Sequence, residues 1–91
     1  MIALTLYTRP GCHLCDEMKA VVDRVAQSMP FTLALIDISA DSNLEAKYGL
    51  EIPVLLVNGK KAAKYRVTES ELQRILTARA DGSGESGGAG G

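Results

Sequence analysis

The sequence predicts an α/β fold in which a four-stranded mixed sheet is flanked by three helices, in the order β-α-β-α-β-β-α. Apolar runs typical of strands alternate with segments of helical periodicity in the first half of the chain. Asn58-Gly59, a strong signal for a tight hairpin, separates two further strand-like runs. Residue spacings typical of helix N-terminal capping precede the second and third helical segments.

The first three elements follow from residue patterning. Residues 2–7 are mostly apolar and are followed by the turn-forming residues 9–11, which predicts a strand. Between residues 13 and 29 the apolar positions recur at helical spacing, and Pro30 ends the segment. Residues 31–38 read as a second strand. A β-α-β unit of this kind should be parallel with a right-handed crossover.

A short second helix is predicted after a loop at residues 39–43. Ser42 and Glu45 have the spacing of a capping box, and the helix should run through Tyr48. Gly49 then suits the left-handed position that commonly follows a helix.

A hairpin of two strands and a third helix complete the predicted fold. Residues 54–57 and 61–65 should pair across the Asn58-Gly59 turn. Thr68 and Glu71 repeat the capping-box spacing, and apolar residues at helical intervals follow them.

Composition limits the organisation and the partners of the chain. With 91 residues, we expect one folded domain at residues 1–80 and a flexible Gly/Ser-rich tail at residues 81–91. Ten basic and eleven acidic residues give a net charge of −1, which does not favour nucleic acid as a main partner. No apolar run approaches the roughly 18 residues of a membrane span, and no signal-peptide pattern is seen. We therefore expect a cytoplasmic monomer without a membrane partner.

The two cysteines, Cys12 and Cys15, stand at the junction between the first strand and the first helix. If Cys12 caps the helix, its sulfur lies beside backbone N–H groups that lack intrahelical partners, at the positive end of the helix dipole. Both effects lower the pKa of a thiol below its free value of about 8.5. Cys15 follows one turn later on the same face. This arrangement favours thiol–disulfide exchange over the alternatives, which are two inert buried cysteines or half of a zinc site. We expect no metal, since His13 is the only other good soft or imidazole ligand.

The order of elements, with C-x-x-C at the first strand–helix junction, resembles the thioredoxin fold. Tyr7-Thr8-Arg9 before the cysteines resembles glutaredoxins, and residues 48–59 are similar to the region around the cis-proline of thioredoxins. The resemblance covers about residues 1–78. Two features differ from glutaredoxins: His13-Leu14 stands between the cysteines, and residues 65–69 lack a glycine pair. The chain is thus identified as a glutaredoxin-like protein of the thioredoxin-fold superfamily, of the dithiol type.

The resemblance implies a thiol–disulfide oxidoreductase that exchanges a Cys12–Cys15 dithiol or disulfide with protein or low-molecular-weight disulfides. Cys12 would attack the substrate and Cys15 would resolve the mixed disulfide. No cofactor is required, and glutathione is a candidate co-substrate. Either glutathione or a reductase would supply electrons.

The resemblance also implies roles for three residues around the cysteines, and the position of His13 in the first turn suggests a role for a fourth. Pro53 is expected to be cis and to lie against the C-x-x-C, while the backbone of Ile52 pairs with an extended substrate. Arg9 is expected to pair with the Cys12 thiolate or with a substrate carboxylate. His13 is a candidate for tuning the thiolate, the alternative being a solvent-facing residue of little influence.

Other functions stay open at this point. They are a non-enzymatic thioredoxin-fold adaptor, a dimer that holds an iron–sulfur cluster between Cys12 thiolates, and a redox sensor that turns over no substrate. A basic hairpin, residues 60–66, could attract an anionic tripeptide or an acidic partner, although such charges more often protect a sheet edge from aggregation.

Overall fold

The computed structural model describes residues 2–80, so the expected tail at residues 81–91 lies outside the described residues. The strands are β1 Ala3–Thr8, β2 Thr32–Asp37, β3 Val54–Val57 and β4 Lys60–Lys64, and the helices are α1 His13–Ala26, α2 Ser42–Tyr48 and α3 Glu69–Ala80. The predicted order of four strands and three helices is confirmed. Across residues 2–80, no helix is both long and apolar enough to cross a membrane.

The sheet is mixed and has the strand order β2-β1-β3-β4. β1 pairs in parallel with β2 and antiparallel with β3, and β3 pairs antiparallel with β4. Tyr7, near the end of β1, lies opposite Val54, the first residue of β3. The loop after β1 and the loop before β3 therefore meet at one edge of the sheet, and this edge carries the two cysteines.

Each face of the sheet packs against different helices, because successive side chains of a strand point to opposite sides. Leu4 and Leu6 of β1 join a core with Met18 and Val22 of α1, and α3 adds to the same core. Tyr7 contacts a smaller cluster on the other face. The larger cluster contains Leu4, Leu6, Met18, Val22, Val25, Leu55, Val57, Val67, Leu72 and Leu76. The smaller contains Ile38, Tyr48, Val54 and Leu56. The cysteine loop thus follows a strand that packs on both faces of the sheet.

Several predicted boundaries were wrong by a few residues. α1 ends at Ala26 rather than near Met29. Its final turn tightens, since the Gln27 N–H donates to the Arg24 carbonyl three residues back. Met29 still packs against the core, which explains why its spacing looked helical. A 3-10 helix, Ile38–Ala40, replaces the start of the predicted loop.

α2 ends at Tyr48 as predicted, but its capping residue and the conformation of Gly49 were predicted wrongly. Asp41, not Ser42, caps the helix, and its carboxylate accepts hydrogen bonds from the N–H groups of Asn43 and Leu44 at 2.9 and 3.2 Å. Gly49 is not left-handed but right-handed helical, with φ −56° and ψ −29°. Glycine is required there for space, because an added Cβ would lie 2.5 Å from the carbonyl oxygen of Glu45.

Two predicted local motifs, a hairpin turn and a helix capping box, are confirmed in detail. Asn58 and Gly59 both adopt positive φ, 51° and 85°, as a tight hairpin turn between twisted strands requires. Thr68 and Glu71 form the capping box: the Thr68 N–H donates to the Glu71 carboxylate at 2.9 Å, and the Glu71 N–H donates to the Thr68 hydroxyl at 3.1 Å.

Candidate active site

Cys12 caps the N-terminus of α1, as predicted. Gly11 turns the chain with φ +78°, and Cys12 itself is extended, with φ −92° and ψ 111°. Its N–H donates to the Arg9 carbonyl at 3.3 Å. Its Sγ accepts a hydrogen bond from the Cys15 N–H at 3.1 Å. The sulfur therefore occupies the position that a serine or aspartate oxygen takes in an ordinary helix cap.

Cys12 and Cys15 are joined by a disulfide bond, with their Cα atoms 5.2 Å apart. The two residues differ in exposure: Cys12 is partly exposed, whereas Cys15 is only 3% exposed. A molecule arriving from solvent can therefore approach the Cys12 sulfur more readily than the Cys15 sulfur. The described structure is the oxidised form of the pair.

The Ile52–Pro53 peptide bond is cis, as predicted. Pro53 is fully buried and immediately precedes β3, so it lies at the sheet edge that the cysteine loop also occupies. Ile52 is partly buried against the smaller core cluster. The carbonyl of Pro53 accepts a hydrogen bond from the Tyr65 N–H at 2.9 Å. That Ile52 and Pro53 bind substrate stays a prediction.

Arg9 is held by α2. Its Nη2 donates to the Glu45 carboxylate at 2.7 Å, and its Nε is buried without a hydrogen-bond partner in the part of the chain described. Arg9 also lines an open cavity of about 240 Å³ together with Cys15, Lys19 and Asp37. The guanidinium thus braces the cysteine loop against α2, and its expected contact with a thiolate or a substrate stays a prediction.

His13, the first residue of α1, faces solvent and pairs with a neighbour on its own helix. Its Nε2 lies 2.8 Å from the Glu17 carboxylate, and its side chain is 85% exposed. The other oxygen of Glu17 lies 3.4 Å from Nη1 of Arg66, which follows β4. Glu17 therefore links the first turn of α1 to the segment after the hairpin. A role for His13 in tuning the thiolate stays a prediction.

Sequence reasoning missed Glu17 and Glu45. The i,i+4 spacing of His13 and Glu17 was a usable signal for their pairing. No short-range sequence pattern predicted the contact of Arg66 with Glu17 or of Arg9 with Glu45, because both contacts join segments that are distant in the sequence.

Hydrogen bonds shift the pKa values of Asp37, Glu51 and Lys61. Hydrogen bonds from the Ser39 hydroxyl and then from the Ser39 N–H hold the pKa of Asp37 below its ordinary value. A hydrogen bond from Lys61 lowers the pKa of Glu51, and the same bond raises the pKa of Lys61. Residues 2–80 bring together no set of three or more His, Cys, Asp or Glu side chains that could hold a metal ion.

The sheet order and the cysteine pair closed across the first turn of α1 are those of a glutaredoxin-like protein with a thioredoxin fold. A family model described as "Glutaredoxin-like domain (DUF836)" matches residues 3–77. The chain belongs to this family.

Three known proteins illustrate the similarity. A glutaredoxin-like protein of Dictyostelium discoideum is 32% identical over 77 residues, which are 78% of this chain and 71% of the relative. A protein of X. campestris with a known crystal structure is 34% identical, with a TM-score of 0.69 over 82% of this chain and 96% of its own. A thioredoxin of Halobacterium salinarum, 21% identical, shares the fold, with a TM-score of 0.62 over 85% of this chain and 73% of its own.

Proposed function

We propose that the protein is a thiol–disulfide oxidoreductase that exchanges its Cys12–Cys15 pair with disulfides of proteins or of low-molecular-weight thiols. One observation carries the proposal: Cys12 is partly exposed at the cap of α1, where its Sγ accepts a hydrogen bond from the Cys15 N–H at 3.1 Å. That N–H and the helix dipole favour an anion at this position. A thiolate is the form of cysteine that attacks a disulfide.

The proposed reaction moves two electrons and two protons from the protein dithiol to the substrate disulfide. The Cys12 thiolate attacks one substrate sulfur, a mixed disulfide forms, and the other substrate sulfur leaves as a thiolate that takes up a proton. The Cys15 thiol then loses its proton and attacks Cys12 Sγ. The mixed disulfide breaks, the second substrate sulfur leaves as a thiol, and the Cys12–Cys15 disulfide closes.

The difference in exposure between the cysteines supports this division of roles. The partly exposed Cys12 meets the incoming disulfide, while Cys15, which is nearly buried, reacts within the protein. Their Cα atoms are already 5.2 Å apart, so the second step needs little movement of the backbone.

The surroundings of Cys12 would form the substrate groove. Ile52 would pair with an extended substrate through its backbone, with Pro53 beneath it. Arg9 would position the cysteine loop through Glu45, to which it donates at 2.7 Å. No cofactor is required by this chemistry. In the cytoplasm, glutathione or a dithiol reductase would reduce the Cys12–Cys15 disulfide and complete the cycle.

Two cysteine variants test the proposal with 2-hydroxyethyl disulfide and with insulin as substrates. Cys12→Ser should abolish reduction of both. Cys15→Ser should accumulate a mixed disulfide at Cys12 that mass spectrometry detects and dithiothreitol removes. Circular dichroism of each variant checks that the fold is kept. Full activity of Cys12→Ser would overturn the assignment. A mixed disulfide trapped at Cys15 in that variant would overturn it as well.

A further inference from the structure

Two large apolar side chains are exposed near the cis-proline, and hydrogen bonds join Tyr65 to the backbone at Leu50 and Pro53. Leu50 is 94% exposed and Tyr65 is 43% exposed. The Tyr65 hydroxyl donates to the Leu50 carbonyl at 3.1 Å, and the Tyr65 N–H donates to the Pro53 carbonyl at 2.9 Å. These bonds place the Tyr65 ring and the Leu50 backbone next to each other and near Pro53. Adjacent exposed apolar groups mark interaction sites more often than isolated ones do.

The backbone of Tyr65 supports a functional role for this surface. Its φ of +69° is left-handed, a conformation that is uncommon for a bulky aromatic residue. Such conformations persist when surrounding contacts enforce them, and they cluster at binding and catalytic sites. Here the contacts are the two hydrogen bonds of Tyr65 and a bond from the Arg66 N–H to the Lys64 carbonyl at 2.8 Å. The chain maintains an unfavourable backbone that presents the ring beside Leu50.

Ion pairs connect this surface to the first turn of α1, the helix that Cys12 caps. Arg66 directly follows Tyr65 and pairs with Glu17 at 3.4 Å, and Glu17 in turn pairs with His13, the neighbour of Cys12. Tyr65 and Glu17 also line one cavity of about 180 Å³. A segment bound to Cys12 would therefore pass close to the tyrosine ring.

Lys64 gives this surface a positive charge. Its Nζ lies 5.4 Å from the centre of the Tyr65 ring. The nearby carboxylates are already paired, Glu51 with Lys61 at 2.6 Å and Glu17 with Arg66 and His13. Within residues 2–80, no carboxylate forms an ion pair with Lys64. Lys64 is therefore available to form an ion pair with an acidic group of a partner.

We propose that Leu50, Lys64 and Tyr65 form a docking platform for an extended segment of a protein substrate that carries an apolar and an acidic side chain beside the target cysteine. This inference rests on the proposed function and names its substrate class. The apolar side chain would cover Leu50 and the Tyr65 ring, and the acidic one would pair with Lys64. Glutathione carries carboxylates but no apolar side chain, so it would use Lys64 and gain nothing from Leu50.

The test compares peptide disulfides in a single turnover of the pre-reduced protein. The probes are short peptides whose one cysteine carries a disulfide-linked 2-mercaptoethanol. One peptide has Leu and Asp beside the cysteine, a second has Ser and Asp, and a third has Leu and Lys. Each rate is divided by that of 2-hydroxyethyl disulfide measured on the same preparation. This ratio removes any change in the reactivity of the thiol itself.

Two variants and one matched control give the expected pattern. Leu50→Ser should lower the ratio for the Leu–Asp peptide by about tenfold and leave the Ser–Asp peptide nearly unaffected. Lys64→Glu should lower the Leu–Asp ratio by about fivefold and raise the Leu–Lys ratio. Lys60→Glu makes the same charge change at the far end of β4, opposite Val57, and should alter the ratios by less than about twofold.

A second arm separates failure of docking from failure of the chemistry. The Leu–Asp peptide with Ser in place of Cys is titrated into the oxidised protein, and shifts of the Leu50 and Tyr65 amide signals are followed by NMR. Equal ratios in all variants, with no shifts, would overturn the docking platform even if 2-hydroxyethyl disulfide is reduced. Glutathione disulfide is measured in the same way as a further probe. A loss of rate that occurs only with Lys64→Glu and only for glutathione disulfide would assign the surface to a small anion and overturn the proposal. Shifts without reduction of any disulfide would refute the oxidoreductase assignment while the platform stands.

Discussion

Gly49→Ala tests how the cysteine loop is braced against α2. Gly49 has φ −56° and ψ −29°, a conformation that alanine adopts without strain. On torsion angles alone, the substitution should stabilise the protein by about 0.4–1 kcal/mol, because it reduces the freedom of the unfolded chain. The folded structure predicts the opposite sign.

The magnitude follows from the space around Gly49. A Cβ there would lie 2.5 Å from the Glu45 carbonyl oxygen and 3.2 Å from Nη2 of Arg9. The first distance forces the backbone to shift, and the second displaces the guanidinium that holds the Glu45 carboxylate at 2.7 Å. Forced overlaps of this kind cost about 1–3 kcal/mol, which leaves a net destabilisation of about 1 kcal/mol.

Urea unfolding of the oxidised protein measures the effect. A loss of about 1 kcal/mol should lower the urea midpoint by roughly 0.5–1 M at unchanged slope. Gly59→Ala is the control: Gly59 has φ +85° and nothing within 4 Å of the added Cβ, so it should lose stability through torsion alone. Gly49→Ala should also slow the reduction of 2-hydroxyethyl disulfide, because Arg9 moves. A midpoint equal to or above that of the wild type would refute the reasoning.

Two smaller effects can be tested at the N-terminus of α3 and at the end of β2. Thr68→Ala removes the hydroxyl that accepts from the Glu71 N–H at 3.1 Å and should cost about 1 kcal/mol in urea unfolding; an unchanged midpoint would contradict the cap. At Asp37, the Ser39 hydroxyl, at 2.6 Å, is the first cause of a pKa below the ordinary 3.8. Because the folded pKa is lowered, the stabilisation is present above pH 3.8 and is lost as the pH falls through the folded value. Ser39→Ala should raise the pKa of Asp37 in a carboxyl NMR titration, and no change would show that the hydroxyl is not the cause.

Signals confined to a few neighbouring residues were sufficient for most of the fold. Asn58-Gly59 placed the hairpin, since few other pairs tolerate two positive φ values, and β3 has the predicted bounds. Cys12 was expected at the helix cap and is found there. The strand–helix alternation predicted the sheet because its periodicity reflects which side chains the folded chain buries.

Competing local signals explain the errors in α2 and α1. Asp41 and Ser42 are adjacent and both suit a cap, so the sequence did not decide between them. Gly49 was assigned a left-handed conformation because glycine commonly ends helices that way, whereas the crowding that requires it comes from Glu45 and Arg9. Met29 continued the helical spacing after the helix itself had ended.

The surroundings of the site were harder to predict. Arg9 and Glu45 are 36 residues apart, and Glu17 and Arg66 are 49 apart. The two residues of each pair come into contact only when the chain has folded, so no short-range sequence pattern predicts the contact. The exposure of Leu50 and Tyr65 had no sequence signal either, since apolar residues are more often expected inside.

The central claim is that the cap of α1 stabilises the Cys12 thiolate. The most direct measurement is the pH dependence of iodoacetamide alkylation at Cys12 in the reduced Cys15→Ser variant, followed by mass spectrometry. The helix N-terminus and the residue-15 N–H predict a midpoint clearly below the free-cysteine pKa of about 8.5. A midpoint at or above that value would contradict the account, because the helix end would then confer no reactivity on Cys12.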